Sequence, residues 1–254
     1  MKYLIAFAAS LICLSSVPQQ KEPGKKIFLL MGQSNMAGRG KITAAFENLT
    51  DSRLLMLNAN NEFVTAKHPI HFDKPKAVGV GPGLTFGMDM AKAYSKDSIY
   101  LIPCAVGGTS INKWEPEAFD KSTNTHPYDD AVLRIKEAMK KGKIDGVIWL
   151  QGESDSNPKA AATYLSKLTA LIARIRYETN NPELPFVVGE LGTFRKEFQL
   201  INNELHKLPT LVSFTKVVTS ENLSHKGDTT HFNAPSAAIY GDRFAKAMLE
   251  LMKK

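Results

Sequence analysis

The sequence predicts an α/β protein, a three-layer α/β/α sandwich with a central parallel sheet of about five strands. Three observations carry that reading. Short apolar runs bounded by Gly, Pro or Asn alternate with longer segments of helical spacing. Composition after residue 26 stays in one regime, with no internal repeat or low-complexity tract. The 254 residues, 43% hydrophobic and 22% charged, have ordinary globular composition and enough length for one large core. Strands alternating with helices lie parallel, with helices over both faces of the sheet. The runs at 27–31, 54–57, 99–102, 147–150, 186–188 and 211–218 read as buried strands. Helical spacing occupies 84–94, 131–139 and 160–177, the last opened by Asn157 and Pro158, a cap and first-turn pair. A final helix starts at Pro235 and sets Tyr240, Phe244, Met248 and Leu251 along one face. The connections 58–83 and 105–129 are long and aperiodic, and connections of that length are usually functional. Because open parallel sheets bind ligands beyond the carboxyl ends of their strands, both are expected to border the site.

Residues 1–17 have the layout of a secretory signal peptide: Lys2, an apolar run, then small residues. The run is too short to span a bilayer, and no later segment supplies about 20 apolar residues. Residues 18–25 then read as a polar linker and 26–254 as the domain, giving a secreted or periplasmic protein without stable membrane insertion. Cys13 within the leader is a weaker candidate for lipid anchoring, because bulky Ile12 precedes it. Beyond the leader only Cys104 remains, so no internal disulfide is expected, and its place after an apolar run marks it as a buried strand-end residue. Lys plus Arg number 32 against 25 Asp plus Glu, a net charge of +7. The lysines are scattered rather than gathered in one stripe, which points to a solvated surface and away from a nucleic-acid partner.

Four polar clusters follow four apolar runs. In IFLLMGQSNMAGRG, Ser34 stands at a strand-to-helix corner between Gly32 and Gly38, either as a nucleophile with helix amides near developing charge or as a simple cap. A hydroxyl needs a base, and the base an orienting partner. Asp228 precedes His231 by three residues, within reach of one imidazole nitrogen while the other faces Ser34. In PCAVGGTSINKW, Gly107 and Gly108 free backbone amides to point into a cleft, or merely form a turn. VIWLQGESDS places Gln151, Glu153 and Asp155 at another strand end. Paired carboxylates suggest a glycosidase, but this spacing better fits a buried turn whose carboxylate accepts backbone hydrogen bonds.

Together the blocks GQSNMAGRG, GGTSINKW, QGESD and DTTH, in this order, resemble the SGNH (GDSL-like) hydrolase superfamily, with its flavodoxin-like fold. Within it they resemble the sialate O-acetylesterase and acetylxylan esterase group, carbohydrate esterase family 6. The resemblance spans nearly the whole chain after the leader. It implies Ser34 as nucleophile, His231 as general base and Asp228 as its orienting acid. It also implies an oxyanion hole from the Ser34 amide, a Gly107 or Gly108 amide and the Gln151 side chain. Leu150 departs from the polar residue often found before Gln-Gly-Glu. Glu153 supports the site or serves as an alternative partner of His231. Candidate substrate contacts are Gln33, Asn35, Arg39, Thr109 and Trp114. Arg39 pairs with a sugar-acid carboxylate or with an internal acid such as Glu153, and Trp114 is either a stacking surface for a pyranose or a packing residue. The implied reaction removes acetyl groups from a carbohydrate partner through an acyl-enzyme, with no metal or organic cofactor. No Cys or His cluster has zinc spacing, and His68 with His71 reads as substrate border or surface. The competing readings are an inactive secreted glycan-binding protein of the same fold and a lipase-like esterase, against which the polar 58–83 loop argues. Oligomeric state is not legible.

Overall fold

The structure, a computed structural model, describes residues 23–253. The leader, Cys13 and most of the linker lie outside the described residues. In chain order the elements are β1 (Gly24–Gly32), α1 (Ser34–Ala37), α2 (Ala44–Glu47), β2 (Leu54–Leu57), β3 (Phe63–Thr65), α3 (Gly83–Ala93), β4 (Asp97–Pro103) and α4 (Pro127–Met139). There follow β5 (Ile144–Leu150), α5 (Pro158–Glu178), β6 (Phe186–Gly189), α6 (Phe198–Leu205), α7 (Leu208–Leu211), β7 (Thr215–Val218) and α8 (Ala234–Met252). One sheet runs in the order β3-β2-β4-β1-β5-β6-β7, parallel throughout except for the antiparallel β2–β3 pair.

Alternate residues of β1 face opposite layers. Ile27, Leu29 and Met31 pack with side chains of α4, α5 and α6, including Ile135, Leu168 and Ile201. Phe28 and Leu30 pack with those of α3 and α8, including Phe86, Met90, Tyr240 and Phe244. Both faces of the sheet are therefore covered, and β1 lies near its centre, which accounts for its continuous apolar run.

The sheet has seven strands rather than about five. All six apolar runs contribute a strand, and the seventh, β3, comes from the connection expected to be irregular. It is only three residues long, half exposed and at the sheet's edge, so it carries no apolar run to read. The run at 211–218 is strand only from Thr215, because Leu208–Leu211 forms a helical turn, α7. At the other end Gly24 and Lys25, assigned to the linker, pair with Asp97 and Ser98 and open β1.

Helix starts follow the expected chemistry. Asn157 accepts a hydrogen bond from the Ala160 amide at 3.0 Å ahead of Pro158, and Asn233 caps α8 through the Ser236 amide at 2.9 Å. Among the described residues no helix is long and apolar enough to cross a membrane.

Candidate active site

The end of β1 is pressed against β5. Gly32 has φ +133°, and a Cβ there would sit 2.1 Å from the Leu150 carbonyl oxygen, so only glycine fits. The next amide, of Gln33, donates to that same oxygen at 2.9 Å. The sharp turn delivers Ser34 as the first residue of α1, its amide without a protein acceptor among the described residues.

The loop before α8 meets it. His231 Nε2 lies 3.0 Å from Ser34 Oγ, and His231 Nδ1 lies 2.7 Å from Asp228 Oδ2. A carboxylate only accepts, so Nδ1 carries the ring proton and Nε2 is left to accept from the serine hydroxyl. Asp228 Oδ1 accepts from the amides of Thr230 at 3.0 Å and His231 at 2.8 Å. Although partial burial opposes its charge, the hydrogen bonds from the His231 amide and ring and the Thr230 amide hold its carboxyl well below the usual carboxylate range.

Asn35 brackets the two halves. Its Nδ2 donates to the Thr230 carbonyl at 3.0 Å and its Oδ1 accepts from the Phe232 amide at 3.0 Å, gripping the backbone on either side of His231. The same Nδ2 also donates to Glu153 Oε1. Burial pushes the Glu153 carboxyl up to about 6 against the hydrogen bond from Asn35, and its Oε2 has no partner. Asp228, not Glu153, is thus the acid touching His231.

Residues 24–250 match the family described as carbohydrate esterase, sialic acid-specific acetylesterase. The chain belongs to that family. It is 31% identical over 250 residues to a probable carbohydrate esterase of Arabidopsis thaliana, covering 91% of this chain and 93% of the relative. The X-ray structure of an Arabidopsis thaliana protein, also 31% identical, superposes with a TM-score of 0.80 over 90% of this chain and 98% of that one. NanS, at 17% identity, shares the fold with a TM-score of 0.72 over 92% of this chain and 99% of its own. A carbohydrate acetylesterase from Xanthomonas citri, at 19% identity, shares it with a TM-score of 0.70 over 90% of this chain and 57% of its own.

Several polar residues expected to face the substrate instead hold this esterase's turns together. Gln151 is fully buried, and its Nε2 faces Gln33 Oε1 at 3.1 Å, the Thr109 carbonyl at 3.1 Å and Asp155 Oδ2 at 2.6 Å, leaving no donor for an oxyanion. Gln33 Oε1 is occupied by that amide, and Thr109 Oγ1 donates to the Val106 carbonyl at 2.8 Å. Asp155 Oδ2 also accepts from the Ile111 amide at 2.8 Å, the buried-turn role expected of this carboxylate pair. Trp114 has no exposed surface: it packs edge-on against Trp149, ring centroids 5.0 Å apart, and its Nε1 donates to Thr109 Oγ1 at 3.3 Å. A buried indole offers no face to a sugar.

Arg39 does pair with an internal acid, but the acid is Asp73, at 2.7 Å with both side chains buried. The same Asp73 oxygen accepts from the Gly107 amide at 2.8 Å, which removes Gly107 as an oxyanion donor. Gly108, exposed at φ +88°, keeps its amide free of protein acceptors among the described residues. Asp73 was not legible as a site residue, since it lies in an aperiodic loop. The one available signal is that a buried arginine needs a counter-charge. His68 and His71, expected at a border or surface, are buried, and burial lowers each to about 4. Among the described residues no group of three or more His, Cys, Asp or Glu side chains is placed to hold a metal ion.

Proposed function

We propose that this family member is a serine esterase that removes O-acetyl groups from carbohydrates of the sialic acid or xylan type, through Ser34, His231 and Asp228. The hydrogen-bonded relay from Ser34 Oγ to His231 at 3.0 Å and on to Asp228 at 2.7 Å carries the reading. His231 Nε2 takes the hydroxyl proton as Ser34 Oγ bonds to the acetyl carbonyl carbon. Asp228 stabilises the imidazolium that forms. Negative charge builds on the carbonyl oxygen, where the free amides of Ser34 and Gly108 hold it. Collapse breaks the bond to the sugar oxygen, which leaves with the proton from Nε2, and an acetyl group remains on Ser34. Water, deprotonated by the same nitrogen, then releases acetate and restores the serine. The leader at residues 1–17 delivers this activity outside the cytoplasm, which amino-terminal sequencing of exported protein checks.

The test is acetate release from acetylated xylan oligomers and acetylated sialosides, and turnover of 4-nitrophenyl acetate, by wild type and Ser34→Ala. The substitution is expected to lower kcat by roughly 10³-fold or more while the fold survives. Undiminished turnover by Ser34→Ala refutes the mechanism, and the preferred substrate in the panel identifies the sugar.

A further inference from the structure

A cavity of about 350 Å³ opens beyond the carboxyl end of β4, and no step of the reaction uses it. Its wall is continuous with the site. Val106, which lines it, donates its amide to the Gly32 carbonyl at 3.0 Å, two residues ahead of Ser34. Asp73, also in the wall, holds the Gly107 amide at 2.8 Å, beside the Gly108 amide assigned to the oxyanion.

The protein leaves this wall unfinished. His71 Nδ1 and Asp73 Oδ1 are buried and have no hydrogen-bond partner, whereas buried polar atoms are normally satisfied. The Leu30 carbonyl, 3.3 Å from His71 Nε2, can only accept, so Nε2 bears the ring proton and Nδ1 is an acceptor. Burial lowers His71 to about 4, so the ring stays neutral near pH 7. The Asp73 carboxylate likewise only accepts. A complementary ligand must therefore donate, as hydroxyls do and carboxylates do not. Arg134 offers an anion little, because its guanidinium already donates to the carbonyls of Pro103 at 2.7 Å and Leu57 at 2.6 Å. At the rim Phe72, 37% exposed, and Leu133, 66% exposed, stand beside the polar Asn61, Thr125 and Asp130, a mixed surface suited to the C–H face and the hydroxyls of a sugar. The volume is at the lower end of the range for small-molecule sites, enough for one sugar unit rather than a chain.

We infer that this cavity is a subsite for an uncharged polyhydroxy segment of the substrate, whose hydroxyls donate to His71 Nδ1 and Asp73 Oδ1 while the ester lies at Ser34. The assignment rests on the esterase reading of Ser34. The segment is either a neighbouring neutral sugar of a glycan or the glycerol arm of a sialic acid, which share this chemistry.

The test is calorimetric binding of two unacetylated probes, xylotriose and the methyl glycoside of N-acetylneuraminic acid, to the full chain and to Leu133→Trp, which narrows the mouth from an exposed position. At least one probe is expected to bind wild type, xylotriose marking the neighbouring-sugar source and the sialoside the glycerol arm. Leu133→Trp should weaken that probe by about tenfold or more. The kcat/KM ratio of the matching acetylated sugar to 4-nitrophenyl acetate should fall by a similar factor, about 1.4 kcal/mol. Failure of both probes to bind wild type, or equal binding by wild type and Leu133→Trp, overturns the subsite. If wild type turns over 4-nitrophenyl acetate but binds neither probe, the subsite falls and the esterase stands. If no ester is cleaved while Leu133→Trp still loses the sugar, the esterase reading falls and with it the subsite's place in catalysis, and the cavity stands only as a sugar-binding site.

Discussion

Replacing Asn35 by Ala removes the bracket between nucleophile and base without touching either. Three partners lose their hydrogen bonds: the Thr230 carbonyl, the Phe232 amide and the Glu153 carboxyl. Each buried group left unsatisfied costs about 1–3 kcal/mol, so a stability loss of about 3 kcal/mol or more is expected. Thr230 and Phe232 flank His231, so the loop that presents the imidazole is freed on both sides. A misplacement of about 1 Å at a reacting group costs on the order of 10²-fold in rate, and kcat for 4-nitrophenyl acetate should fall by about that factor with KM nearly unchanged. Glu153→Gln supplies the contrast, because its side-chain oxygen still accepts from Asn35 and kcat should stay within about threefold of wild type. It should alter pH dependence instead. The folded carboxyl, raised to about 6 from its ordinary 4.5, binds its proton more tightly than the unfolded one. That contribution, about 2 kcal/mol, is complete below pH 4.5 and is lost as pH rises through 6, and Glu153→Gln should abolish it. Steady-state kinetics at a temperature where circular dichroism shows both variants folded decides the matter. A folded Asn35→Ala with wild-type kcat would refute the bracket.

Both nitrogens of His68 are buried and unpartnered. Its folded pKa of about 4 lies below the ordinary 6.5, so stability is lost as pH falls between those values, by about 2 kcal/mol at pH 5. His68→Phe should keep the shape and shrink the drop in Tm between pH 7 and pH 5; an unchanged drop would exclude His68 as its source. Arg39→Met strands the buried Asp73 charge and frees the Gly107 turn, so chemical denaturation should report a loss of about 3–5 kcal/mol, and an unaltered midpoint would contradict the pairing. Trp114→Ala should cost about 3–5 kcal/mol as a core truncation, with equal effects on KM for an acetylated glycan and for a small ester; a selective rise for the glycan would restore the stacking role.

The grouping of Ser34 with Asp228 and His231 is legible only through the order of the four blocks that carry the family resemblance: alone, Ser34 reads equally well as a helix cap, and the three-residue spacing of Asp228 and His231 says no more than that a carboxylate can reach one imidazole nitrogen. The six apolar strands are legible locally, since burial in the sheet leaves a short apolar run. What escapes is set by long-range partners. Asn35, Gln33, Thr109 and Gln151 look like ligand contacts because they are polar and close to the nucleophile. Four tight turns meeting at one sheet edge bury many amides and carbonyls, however, and these side chains satisfy them. Asp73 escapes because its importance depends on Arg39 and Gly107, brought to it only by the fold. β3 escapes because an edge strand of three residues needs no apolar pattern.

The position of β1 has a consequence for biosynthesis. This strand leaves the ribosome ahead of every other strand among the described residues, yet it occupies an interior place in the sheet, between β4 and β5. Its two edges stay without their native neighbours until translation has passed residue 103 and then residue 150, a delay on the order of ten seconds at ordinary elongation rates. Throughout that interval a sticky ribbon, Ile27 to Met31, has no native cover. The nascent chain therefore depends on temporary shielding, by a chaperone or by transient collapse, until the later strands close around it.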